Sequence, residues 1–193
     1  MFKPWTGSNF HETRLLILGE SAYSWREEGE LCHPSENHSI DLVETTIDEL
    51  NSVPLMAKIT RALAAEESPS KERRQFVWDR VAFTNFVQES VGEGAGTRPR
   101  KAMWREAAKS LVVLLNDLKP RRMIALGKTM YEYHLPEDGD IYLTDNVHAY
   151  QLNNGQVCLY TGIIHPSAPG WMGWKALADV IHFAVGDKLR PLP

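Results

Sequence analysis

Four short apolar runs, each too far from the next to close a hairpin, constrain this chain more than any other feature. They are Arg14 to Leu18, Arg80 to Thr84, Met123 to Leu126 and Val157 to Ile164, the last broken by Gly162. Short apolar runs bounded by Gly, Asn or Pro read as strands buried on both faces. Strands separated by helical patterns read as a parallel sheet covered by helices. The expected fold class is therefore α/β, a three-layer α/β/α arrangement around a central four-stranded parallel sheet, in a single domain over residues 1–193.

The connecting stretches carry the helical patterns. Asp41 to Ala65 places Leu42, Ile47, Leu50, Met56, Ile59 and Leu63 at roughly helical spacing, interrupted at Val53-Pro54, which predicts two helices or one kinked helix. Met103 to Leu118 reads as an amphipathic helix ended by Lys119-Pro120, Thr129 to His134 as a short helix, and Trp174 to Val185 as the last. Lys71 to Arg74 opens a charged segment leading into Val77-Trp78. Three stretches read as loops: Gly19 to Ser39, polar and rich in Gly, Pro and His; Gly92 to Pro99, glycine-rich; and Pro136 to Gly155, acidic and turn-rich. A loop as long as the first is usually functional in a compact domain.

In an open parallel sheet, ligands bind at the carboxyl ends of the strands. Each predicted strand ends there in residues suited to chemistry: Gly19-Glu20-Ser21, Asn85, Gly127-Lys128 and His165-Pro166-Ser167. Pro166 biases His165 toward extended backbone, and Pro169-Gly170 forces a turn before the last helix, so the imidazole sits at a strand end facing a loop. Each group taken alone also has a plain structural reading. Glu20 suits a solvated turn carboxylate, Asn85 a turn or helix cap, and His165 a histidine satisfied by the backbone. Gly127-Lys128 lacks the spacing of a phosphate loop.

Composition narrows the class. The 193 residues are 43% hydrophobic and 24% charged, as in a soluble globular protein. No apolar run approaches a membrane span, and Met1-Phe2-Lys3-Pro4-Trp5 lacks the apolar core of a signal peptide, so a cytoplasmic monomer is expected. The two cysteines, Cys32 and Cys158, supply neither a four-thiolate cluster nor a disulfide framework. A net charge of −4 argues against indiscriminate nucleic-acid binding and requires any such role to use a local basic patch.

Taken in order, Leu18-Gly19-Glu20-Ser21-Ala22-Tyr23, Phe83-Thr84-Asn85-Phe86, Ala125-Leu126-Gly127 and His165-Pro166-Ser167 resemble the uracil-DNA glycosylase superfamily over residues 14 to 180. The resemblance implies that His165 donates a hydrogen bond to the O2 of the departing base and that Asn85 reads the flipped base through its amide. It makes Tyr23 a wall against bulkier 5-substituted bases and His33, within Leu31-Cys32-His33, a stacking ring. It requires neither metal nor organic cofactor.

The departures from the family pattern matter equally. Where the best-known branch has a water-activating aspartate, this chain has Ser21, which is no carboxylate base. Glu20 matches the glutamate of a thermophilic branch and is the remaining base candidate, although adjacent residues of an extended chain point to opposite faces. The four cysteines of that branch's iron–sulfur cluster are absent. Trp171 and Met172, between Gly170 and Gly173, suit a wedge that fills the gap left by an extruded base, while exposed residues of this type also mark protein interfaces. Arg98, Arg100, Lys101 and Lys128 are candidates for the DNA backbone, with Ser167 donating to a phosphate oxygen.

The resulting expectation is a DNA glycosylase that hydrolyses the N-glycosidic bond of uracil or a related deaminated base. Two alternatives stay open. One is a non-catalytic module that binds nucleic acid or nucleobases with the pocket retained, favoured by Ser21. The other is a hydrolase of free nucleosides or nucleotides, favoured by the acidic net charge.

Overall fold

A computed structural model describes residues 1–94, 96–137, 140–144 and 147–189. Strands are β1 Trp5–Thr6, β2 Leu15–Gly19, β3 Ala22–Glu27, β4 Glu30–Cys32, β5 Val81–Asn85, β6 Ser90–Glu93, β7 Arg122–Leu126, β8 Asp140–Thr144, β9 Val147–Gln151 and β10 Val157–Ile163. Helices are α1 Phe10–Thr13, α2 His38–Asp48, α3 Pro54–Ala64, α4 Lys71–Trp78, α5 Lys101–Leu118, α6 Lys128–Tyr133 and α7 Trp174–Val185.

The fold is mixed α/β. Its main sheet has the order β1-β5-β2-β7-β10-β9-β8. The strands expected from the apolar runs form its contiguous parallel block, β5-β2-β7-β10. The sheet is nevertheless seven-stranded, not four-stranded. β1 adds an antiparallel edge on β5, and β9 and β8 continue antiparallel beyond β10. The stretch from Pro136 to Gly155 is thus partly sheet. β9 gains regular structure by pairing with β10 and β8 by pairing with β9, a tertiary effect that local composition does not report.

Strand alternation divides the core. Leu15, Ile17, Phe83, Ile124 and Leu126 pack against side chains of α2, α3, α4 and α7. Leu16, Leu18, Ala82, Met123, Ala125, Cys158 and Tyr160 face α5 and Met130 of α6 on the opposite side. All residues of β2 and β5 are buried, as a sheet covered on both faces requires.

Three further segments depart from the sequence reading. The long polar stretch after Gly19 contains β3 and β4, joined through Glu28 and Gly29, both at positive φ (50° and 90°), the backbone of a two-residue hairpin turn. β3 also pairs in parallel with β6, giving a second, three-stranded sheet β4-β3-β6 that uses the start of the glycine-rich segment. The charged segment is helix α4, capped by Ser70, whose side chain accepts from the Arg73 N–H. Buried Arg74 donates to the carbonyls of Ile47, Asp48 and Pro69, so it satisfies the carboxyl end of α2 rather than meeting solvent. The break at Val53-Pro54 separates α2 from α3, with Pro54 at the first turn of α3.

Candidate active site

Strand register brings the four predicted groups to one rim. Gly19 pairs with Asn85, Leu18 with Ala125, and Leu126 with Ile163, so the carboxyl ends of β2, β5, β7 and β10 are level. Continuing the alternation, Glu20 rises on the side of α5 and α6, whereas His165 rises on the side of α3. The two groups therefore approach the rim from opposite faces of the sheet.

Glu20 is only 6% exposed, which removes the reading as a solvated turn carboxylate. Its backbone carbonyl accepts from the Val87 N–H at 3.0 Å, and its Oε1 receives Arg98 Nη1 at 2.9 Å. A buried carboxylate needs a partner of this kind, because desolvation otherwise costs several kcal/mol. Arg98 reaches in from the rim with its own side chain 71% exposed. Glu20 Oε2 faces Gly127, where an added Cβ would stand 3.0 Å away, and Gly127 itself holds φ of 151°. Glycine at this position thus serves both the backbone geometry and the room the carboxylate occupies.

His165 is half-buried, and its ring is oriented by the loop that follows. The Ser167 N–H donates to His165 Nδ1 at 3.2 Å, so Nδ1 carries the lone pair and the neutral ring keeps its proton on Nε2. Burial pushes the imidazole below its ordinary value of 6.5, Glu20 opposes that shift, and Arg98 and Lys58 reinforce it. These influences place the carboxylate and both cations within electrostatic reach of one ring. The loop is pinned further by Lys58 Nζ, which donates to the Pro166 carbonyl at 2.7 Å, and by the Ala168 N–H on the His165 carbonyl at 2.8 Å.

Asn85 is buried, and its Oδ1 occupies the space above Gly19 that a side chain there would fill. Among the described residues it caps no helix. The Gln88 amide donates to its backbone carbonyl and also to Thr84 Oγ1, at 3.3 Å in the second case. Gln88 in turn accepts the Phe2 N–H at 2.9 Å, so the segment after β5 is held from both sides.

The remaining candidates separate into groups. Ser21 Oγ is buried and has no hydrogen-bond partner among the described residues, and Tyr23, two residues further on in β3, is half-buried. His33 is exposed beyond β4, with Nδ1 at 2.7 Å from Ser24 Oγ, which also meets Ser90 Oγ at 2.7 Å. Its ring is thus tied to the small sheet. Lys128 lies at the start of α6, 3.4 Å from Glu132, and Ser167 is exposed after Pro166. Trp171 packs against the core from a half-buried position, whereas Met172 projects with 71% exposure. Trp174 is anchored through Nε1 to Glu67 at 3.0 Å.

Three neighbours of the site escape a reading of the sequence. Lys58 looks like an ordinary lysine on an amphipathic helix, and Gln88 carries no signal beyond its spacing from Asn85. His134 is pushed below its ordinary value by burial, with Glu20 opposing, and stacks on Trp104 at 4.1 Å. Among the described residues, no group of three or more His, Cys, Asp or Glu is placed to hold a metal ion. No protein-family model and no curated protein matches the chain.

Proposed function

We propose that this rim hydrolyses the N-glycosidic bond of uracil, or a related deaminated base, in DNA, as a divergent, cluster-free member of the uracil-DNA glycosylase superfamily in a three-layer α/β/α form. The observation that carries the reading is the fixed tautomer of His165. Its Nδ1 accepts from the Ser167 N–H, so Nε2–H is the available donor, on a ring whose protonation burial disfavours.

In the proposed reaction, the bond between the sugar and the base nitrogen breaks, and its electron pair leaves with the base. Water adds to the anomeric carbon, and the proton it loses passes to Glu20 and from there, through solvent, to the departed base anion. His165 Nε2–H donates to the base O2 where negative charge develops, a contribution on the order of 3 kcal/mol for one such donor. Asn85 reads the base edge with one donor and one acceptor. Glu20 receives or orients the water through Oε2, its other oxygen being held by Arg98. Tyr23 bounds the base pocket, and Met172 is the exposed tip of the loop that enters the space the base vacates.

A second reading is favoured by Ser21. Its hydroxyl is buried with no hydrogen-bond partner among the described residues, the sequence resemblance aligns it with the carboxylate of the best-known branch, and a site without a competent base would bind an extruded nucleobase without cleaving it. An alkali-cleavage assay on uracil-containing single strands separates the two: strand scission at the abasic product supports the glycosylase, and tight binding without scission supports the binding module.

A further inference from the structure

The basic residues that follow Arg98 do not all serve the Glu20 pocket. Lys101 and Arg105, one turn apart on α5, line a groove of about 280 Å³ together with Trp104, Ala108, Tyr133 and His134. Among the described residues, neither cation lies within 4.0 Å of a carboxylate, in a chain whose net charge is −4. Tyr133, at the end of α6, is 74% exposed and makes no hydrogen bond or ring contact among the described residues. His134 beside it lies flat on Trp104, with planes 10° apart, and Trp104 rests on Phe86 at 5.9 Å, so the groove floor is an aromatic column rooted in the core.

A rigid aromatic floor, a free phenol ring and two unpaired cations in one groove form the combination that binds single-stranded nucleic acid. Bases stack on the rings, and cations follow the phosphates. The groove adjoins the rim: Arg98 and Arg100 lie between them in sequence, and His134 is close enough to feel the Glu20 charge. We propose that the Lys101–Arg105–Tyr133 groove holds a nucleotide of the same single strand that presents its extruded base to the rim, with its base on Tyr133 and a phosphate between Lys101 and Arg105. This rests on the glycosylase reading for the identity of the strand. It adds a reason for preferring single-stranded over duplex substrate: an unpaired base is free to stack, whereas a paired one must first be released.

The test is fluorescence anisotropy of a labelled, uracil-free single strand of about 12 nucleotides, within the usual site size of such grooves, over a range of salt concentrations. Lys101→Ala/Arg105→Ala should weaken binding and reduce the slope of log affinity against log salt by about 0.7, the value for one lost phosphate contact on a single strand. Tyr133→Ala should weaken binding roughly 5- to 100-fold, the range for one stacked base, and Tyr133→Phe should restore it. Lys71→Ala, which breaks the distant pair with Asp48, should change nothing, and circular dichroism should show all variants folded. Wild-type slope and affinity in both groove variants would overturn the proposal. So would a mononucleotide that binds as tightly as the strand, or a wild type that binds no strand at low salt. Because the readout needs no base release, weakened binding alongside absent glycosylase activity would keep the groove and reject the catalytic reading. Uracil release with unaffected groove variants would do the reverse.

Discussion

The carboxamide of Asn85 lies directly across Gly19, its Oδ1 in the space a methyl group on Gly19 would take, and the two residues are partners in the β2–β5 ladder. The first strand thus positions the side chain of the second by having none of its own. Gly19→Ala should rotate Asn85 out of place. Because the displaced atom is the far end of a side chain, the expected stability cost is about 1–3 kcal/mol. Base binding should fall as far as it does in Asn85→Ala. Thermal melts alongside nucleobase titrations check this, and a Gly19→Ala variant that binds like wild type would show that the contact is incidental.

The His165 imidazole should report its two charged neighbours with opposite signs. Arg98 pushes its pKa down and Glu20 pushes it up. Removing the cation in Arg98→Ala should therefore raise the pKa, and removing the carboxylate charge in Glu20→Gln should lower it. Protonation places a hydrogen on Nδ1 and ends its role as acceptor for Ser167. Activity should then decline as pH falls below 6.5, with the acid limb moved upward in Arg98→Ala. Imidazole NMR titrations follow both shifts directly.

Stability should follow the same histidines. Burial depresses His38, His134 and His165 below 6.5 in the folded protein. Below that value the unfolded chain binds more protons than the folded one, so stability is highest above pH 6.5 and is lost as pH falls through it. Melting temperature should drop between pH 7.5 and 5.5, and a flat profile would contradict the burial of these rings.

Lys58 ties the His165 loop to α3 through the Pro166 carbonyl. Lys58→Met keeps the aliphatic stem but removes the donor, and should lower kcat about tenfold, equivalent to one charged hydrogen bond near the low end of its range. KM should change much less, since no base contact is lost. A change confined to KM would instead assign Lys58 to substrate binding.

Much of this arrangement was legible in the amino-acid sequence, and its limits have physical causes. β2, β5 and β7 announce themselves because burial on both faces demands apolar runs, whereas β10 leaves Val157 and Leu159 exposed on one face; Gly19, Asn85, Gly127 and His165 follow from where the four runs stop. β8 and β9 were hidden because strands at the margin of a sheet, with exposed residues such as Leu143 and Val147, are stabilised by pairing rather than by composition. The β3–β4 hairpin had its signal in Glu28-Gly29, masked by the polarity of the segment. α4 was obscured by Arg74, a buried charge that works by satisfying carbonyls from elsewhere in the chain. The roles of Arg98 and Lys58 depend on contacts across 78 and 108 residues of sequence, which no local pattern encodes.

The most direct test of the central claim is chromatographic detection of free base after incubating the protein with single-stranded DNA that carries one uracil. Wild type should release uracil, more readily than from a matched duplex because extrusion from a duplex costs a few kcal/mol. Glu20→Gln should bind the strand normally while releasing base roughly 10²- to 10⁴-fold more slowly. Full activity of Glu20→Gln would contradict the role assigned to the carboxylate, and absence of any released base from uracil, hypoxanthine or xanthine substrates by wild type would contradict the glycosylase itself.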